Sequence, residues 1–176
     1  MPRSPDQPTP GSLADASPEA DPESVARALV LRRLTTSAAT RAQLAALLAR
    51  RGVPDEVAER VLDRFGEVDL IDDAAYARAW VESRHTGRGL ARRALAYELR
   101  QRGVGDVDVA EALEAVDDDS ELAAARELVR RRLPATAGLD RATRTRRLAG
   151  LLARKGYSGG VAMRVVREAL AAPEGE

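Results

Sequence analysis

Arg93, Tyr97 and Arg100 stand at i, i+4 and i+7, the spacing that places side chains on one face of a helix. A guanidinium fork grips phosphate or carboxylate through two parallel hydrogen bonds, and a phenol ring stacks on a base or packs against a partner. A second cluster, Arg84, His85, Arg88, Arg92 and Arg93, surrounds Gly87 and Gly89, residues that let a ligand approach the backbone closely. A third set, Arg141, Arg144, Arg146, Arg147, Arg154 and Lys155, loads one predicted helix with six cations against a single acid, Asp140. Like charges at helical spacing disfavour a helix, so this face calls for a polyanion or an acidic protein groove. Each set also has a structural reading: a solvated face, helix-end charge that complements the dipole, or, for Tyr97, cover for a neighbouring module.

Chemistry of other kinds has little material. The chain has no cysteine and one histidine, His85, which excludes thiolate metal sites and leaves almost nothing for a Ser-His-Asp arrangement. Asp117, Asp118 and Asp119 read as a turn and helix cap, not a cation loop. Arg130, Arg131 and Arg132 read as dipole complement at a helix end, and Tyr76 with Trp80, at i and i+4, as core packing. The acids sit mostly at predicted helix starts and on solvated faces, not clustered in a pocket. The expectation is a non-enzyme with no catalytic residue, no metal and no cofactor.

The elements that position the arginines repeat three times. Aligned on Gly52, Gly103 and Gly156, which are 51 and 53 residues apart, leucine stands eight and four residues before each glycine: Leu44 and Leu48, Leu95 and Leu99, Leu148 and Leu152. An apolar residue follows each glycine directly, and ten residues on come Leu62, Leu113 and Val166. Leucines at i and i+4 share a face, and a basic last turn followed by glycine ends a helix. A further helix precedes each motif, at about Ser24–Leu34, Asp73–His85 and Ser120–Leu133. Thr40 with Gln43 makes a capping box, and Asp118 with Glu121 offers another start; Ser158-Gly159-Gly160 is a weak start for the last helix. No alternating β-branched run of strand length occurs. The predicted fold is all-α: three tandem three-helix repeats, at 24–70, 71–117 and 118–171, forming an elongated, curved solenoid.

Six of the nine prolines fall in the first 22 residues, and residues 1–23 read as a disordered acidic tail, with 172–176 as a disordered end. Residues 1–23 carry a net charge of −4 and Glu174 with Glu176 a further −2, so residues 24–173 carry +6 although the chain as a whole is neutral. A basic folded part favours polyanions or acidic surfaces. The absence of an apolar leader or an 18-residue apolar run makes the cytoplasm the default location.

The second repeat holds the most specific pattern: Leu70-Ile71-Asp72-Asp73, Tyr76-Ala77, Trp80-Val81, Arg84, Gly87-Arg88-Gly89, Glu98-Leu99 and Gly103-Val104. This series, within three repeats spanning about 24–170, resembles the RecX family of regulatory proteins. The resemblance implies a monomeric modulator, mainly an inhibitor, that binds RecA and RecA–single-stranded DNA filaments and alters ATPase, strand-exchange and coprotease activities, with DNA itself as a second ligand. Two other classes fit the residues alone: a sequence-indifferent DNA- or RNA-binding helical protein, and a helical protein-interaction scaffold.

Overall fold

The computed structural model describes residues 21–171. Among these it contains nine α-helices and no strand: α1 (Pro22–Thr36), α2 (Arg41–Arg50), α3 (Asp55–Glu67), α4 (Asp73–Arg88), α5 (Arg92–Gln101), α6 (Asp106–Leu113), α7 (Asp118–Arg132), α8 (Arg141–Arg154) and α9 (Gly159–Ala171), with a short 3-10 turn at Pro134–Thr136. The all-α, three-repeat architecture is the one the leucine–glycine register predicts. Most of the expected N-terminal tail, and residues 172–176, lie outside the described residues. Residues 22 and 23, assigned to that tail, instead open α1. Asp21 caps the helix by accepting the Ser24 N–H, and Pro22 takes the first position, where its missing N–H costs nothing.

The three motif glycines have φ of +74°, +76° and +92°, the left-handed region that glycine enters without a steric penalty. Each closes its helix in the same way. Gly52 N–H donates to Ala49 C=O and Val53 N–H to Leu48 C=O; Gly103 and Val104 do the same to Arg100 and Leu99, and Gly156 and Tyr157 to Ala153 and Leu152. This is the Schellman arrangement, whose apolar contact joins the residue after glycine to the one four before it. All six register leucines are fully buried. Thr40 forms the predicted capping box with Gln43. The cap of α7 is Asp117, one residue before the expected start, and it accepts the Ser120 N–H at 2.7 Å. Ser158 accepts the Val161 N–H at 3.3 Å, so the two glycines after it do not leave α9 uncapped.

Each repeat closes its own apolar core. Leu44, Leu48, Val61, Leu62 and Phe65 centre the first, Leu95, Leu99 and Val109 the second, and Leu148, Leu152, Val165 and Val166 the third. Ile71, placed by sequence at the start of repeat 2, packs in the first core, and Ala91 of repeat 2 packs in the third. Between repeats, polar contacts join helix ends. The Thr40 hydroxyl at the start of α2 donates to the Arg102 carbonyl at the end of α5 (2.6 Å), and Arg41 N–H donates to Asp73 in the first turn of α4 (2.8 Å). One repeat further on, Ala91 N–H donates to the Lys155 carbonyl at the end of α8 (2.9 Å), and Arg92 N–H to Glu121 in the first turn of α7 (2.8 Å). The middle helices α2, α5 and α8 therefore run head to tail, the N-termini of α2 and α5 each seated on the C-terminus of the next repeat's middle helix. Burial pushes the Asp73 carboxyl above its ordinary range, and its hydrogen bond from Arg41 N–H opposes this.

At both joints the seat is a glycine. A Cβ at Gly103 would lie 2.3 Å from the Ala42 Cβ, and one at Gly156 would lie 2.6 Å from the Ala94 Cβ and 2.7 Å from the Ala94 nitrogen, whereas Gly52 has nothing within 4 Å. Gly52→Ala should therefore cost only the left-handed strain, about 1–2 kcal/mol. Gly103→Ala and Gly156→Ala should add an overpacking cost of about 1–3 kcal/mol. Urea unfolding of the three variants tests this ordering; equal costs would contradict it.

The second joint has an extra bond, from the Tyr157 hydroxyl to the Gly89 carbonyl at 2.9 Å. Burial pushes the Tyr157 phenol up to about 12, against about 10 in an unfolded chain. Between these values the folded chain keeps a proton that the unfolded chain has released, so this contribution is complete below about pH 10 and falls as pH rises toward 12. Tyr157→Phe should cost about 1 kcal/mol near neutrality and show a smaller alkaline loss than the parent in denaturation at about pH 9 and about pH 11.

Candidate polyanion interface

The structure separates the predicted arginines into those already held by the protein and those left to solvent. Arg84 belongs to the first group. Its guanidinium lies 4.1 Å from the centroid of the Trp80 ring, Arg102 lies 3.7 Å from the same centroid, and Tyr76 stacks on Trp80 at 5.9 Å. Trp80 Nε1 donates to Glu98 at 2.9 Å. These cation–π and stacking contacts make Tyr76 and Trp80 part of the second core's packing, as their spacing suggests. Arg92 is held too: its guanidinium pairs with Asp118 and Glu121, and the Asp118 hydrogen bond raises its pKa further. Grouped by sequence with the surface cluster, Arg92 is a tie between repeats 2 and 3.

Gly89 ends α4 at φ +61°, and the close approach it permits is made by Leu128 of α7, 3.0 Å from where a Cβ would stand. His85 Nδ1 lies 2.9 Å from the Leu90 carbonyl oxygen. Lys155 donates Nζ to the Arg88 carbonyl at 2.9 Å, while the Arg88 side chain is exposed. Within the predicted cluster, Gly89 and His85 thus belong to a packed joint, while Gly87 has open space around it and Arg88 is exposed.

On α5, Arg93 is exposed and Tyr97 is 65% exposed, as the face analysis requires. Arg100, on the same stripe, pairs with Asp106 at 2.8 Å; both groups are well exposed, and pairs of this kind contribute little. Stability should therefore fall less for Arg93→Ala, within about 0.5 kcal/mol, than for Arg92→Ala, which removes a link between two repeats. Chemical denaturation of the two single variants checks this, and the reverse order would show that α5 is read wrongly.

On α8, Arg141 lies 3.4 Å from the Leu170 carbonyl and Arg144 donates to the Thr136 hydroxyl at 3.4 Å. Arg146, Arg147 and Arg154 instead line a cleft of about 550 Å³ together with Leu151, Thr136 and Arg132. Arg132 was read from sequence as dipole complement with its two neighbours. Those neighbours behave differently: Arg130 and Arg131 both grip Glu127, whose carboxyl they hold down at about 2. Arg132 has Leu128 and Val129 at the positions where Glu127 serves the other two, and that missing acid is the signal that distinguishes it. Because Ala91 N–H meets the Lys155 carbonyl, Arg154 and Arg93 each lie within two residues of one joint. Asp117 caps α7 and Asp118 pairs with Arg92, so two of the three acids of that cluster have structural work. Among the described residues no helix is long and apolar enough to cross a membrane.

Fold and surface together define a tandem helical-repeat protein whose accessible charge suits a polyanionic or acidic partner. Family models described as the first, second and third three-helix domains of RecX match residues 26–65, 72–113 and 119–166. A Regulatory protein RecX from Thermobifida fusca is 59% identical over 157 residues, covering 89% of this chain and 84% of the relative. One from Streptomyces coelicolor is 59% identical over 153 residues, covering 87% and 81%. The crystal structure of RecX from Lactobacillus salivarius has the same fold, with a TM-score of 0.78 at 18% identity over 87% of this chain and 99% of that one. The chain belongs to the RecX family.

Proposed function

We propose that this regulatory protein binds RecA and RecA–single-stranded DNA filaments and lowers RecA ATPase, strand-exchange and coprotease activities. Membership of the RecX family across all three repeats is the observation that carries this reading, and relatives named as regulatory proteins point away from an enzyme. The surface supports it: Arg93 and Tyr97 on α5 and the open arginines of α8 face outward from separate apolar cores. In this reading the protein acts in the cytoplasm as a monomer without a cofactor, and the filament supplies both acidic protein surface and phosphate. Direct nucleic-acid binding without RecA is the second reading, favoured by the α7–α8 cleft and its lack of acids.

With RecA from the same organism on single-stranded DNA, the protein should reduce ATP hydrolysis and strand exchange at or below equimolar ratio. Unchanged RecA activity together with tight DNA binding would favour the second reading. Arg93→Glu with Arg100→Glu should weaken filament binding about tenfold or more at low salt, since attraction becomes repulsion at each contact. The matched control is Ala46→Glu with Ala49→Glu on α2. Ala42 is unsuitable because it packs on Gly103. The arginine pair shifts net charge by −4 and the alanine pair by −2, so losses in that proportion would assign binding to overall charge.

A further inference from the structure

The cleft between the end of α7, the 3-10 turn and the outer face of α8 gathers four arginines and no acid among its lining residues. Several arginines elsewhere are matched to acids: Arg78 with Glu111, Arg92 with Asp118 and Glu121, Arg126 and Arg164 with Glu168, Arg130 and Arg131 with Glu127. Arg132, Arg146, Arg147 and Arg154 form no ion pair among the described residues, yet they line one cleft of about 550 Å³ that no acid lines. Four like charges in one concavity repel one another, an arrangement that an anion relieves.

The arrangement also selects the anion. Arginine presents a planar fork of donors that matches phosphate oxygens in pairs. Arg147 and Arg154 are seven residues apart on α8, roughly 10 Å along its axis at about 1.5 Å per residue. That is the rise of about three stacked nucleotides of one strand at about 3.4 Å each, which suits a run of phosphates better than a lone carboxylate. Leu151 and Ala135 give the cleft an apolar floor beside the guanidinium planes. The far wall is fixed from behind by Thr136, 2% exposed, whose hydroxyl donates to the Leu133 carbonyl at 2.7 Å and accepts from Arg144.

We propose that this cleft is a phosphate-binding site for closely spaced phosphates, taken from a single nucleic-acid strand or from the polyphosphate chain of a free nucleotide, with Arg132, Arg146, Arg147 and Arg154 as its ligands. This rests on the filament reading above only for the origin of a strand. The binding itself is independent of RecA, so the two fail separately.

The test uses the full chain without RecA. Binding of a fluorescein-labelled oligothymidine is followed by anisotropy at several salt concentrations, and ATP and inorganic tripolyphosphate are titrated by calorimetry. Arg146→Ala with Arg154→Ala should weaken binding about tenfold or more at low salt and flatten the salt dependence by about two phosphate contacts, a slope change of about 1.4 for a single strand. Arg50→Ala with Arg51→Ala removes the same charge at the exposed end of α2 and should change affinity less than about twofold. Circular dichroism reports folding, and the milder Arg146→Lys with Arg154→Lys pair, which keeps charge but loses the fork, should give an intermediate loss. Binding of the oligonucleotide alone assigns a strand, binding of ATP and tripolyphosphate alone assigns a nucleotide, and mutual competition assigns phosphate from either source. No binding of any probe, equal losses in the α2 control, or preference for a poly-glutamate peptide over every phosphate probe would overturn the proposal.

Discussion

The structure depends on how the ends of its middle helices are satisfied. A helix leaves N–H groups at its start and carbonyls at its end without internal partners, and their partial charges sum along the axis. In this protein the two kinds of end meet. The start of α2 sits on the end of α5 and the start of α5 on the end of α8, with Thr40 and Ala91 donating to the facing carbonyls and Asp73 and Glu121 taking the next N–H. Three small cores, none shared by all three repeats, are thereby aligned through polar contacts that lose their geometry if a side chain intrudes. Ala42 on Gly103 and Ala94 on Gly156 leave no space for one.

The fold was legible because its signals are local. Two leucines, a basic turn and a glycine lie within nine residues, and each copy uses them in the same hydrogen bonds. The joints were not legible. Thr40 meets a carbonyl 62 residues away, and alanine against glycine carries no pattern in sequence. The same distance effect decided the site. The exposure of Arg93 and Tyr97 was legible because the face they occupy follows from their own helix. Arg92, one residue earlier, looked equivalent until α7 brought Asp118 and Glu121 to it. Arg132 was hidden because its company is created by the 3-10 turn, which brings the end of α7 beside α8.

Charge is distributed by the same logic. Arginines with an acid within one helical turn, or across the first and third helices of a repeat, are neutralised in place; Arg126 with Glu168 and Arg78 with Glu111 tie first helices to third. Such exposed pairs contribute little stability, but they remove cations from the surface a partner meets. Among the cations that remain are those of α8 and of the α5 face, with others such as Arg50, Arg51 and Arg60 on the first repeat.

The joints also give the array a direction. At one end, Gly52 presents the left-handed seat that receives a neighbour in the other two repeats, and nothing stands within 4 Å of it. At the other end, α8 begins fifteen residues before its glycine where α2 and α5 begin eleven before theirs, so α8 carries a whole extra turn bearing Arg141 and Arg144. The two ends of the array are therefore unlike: the end of α2 keeps an open glycine seat, and the start of α8 carries a turn that the starts of α2 and α5 lack.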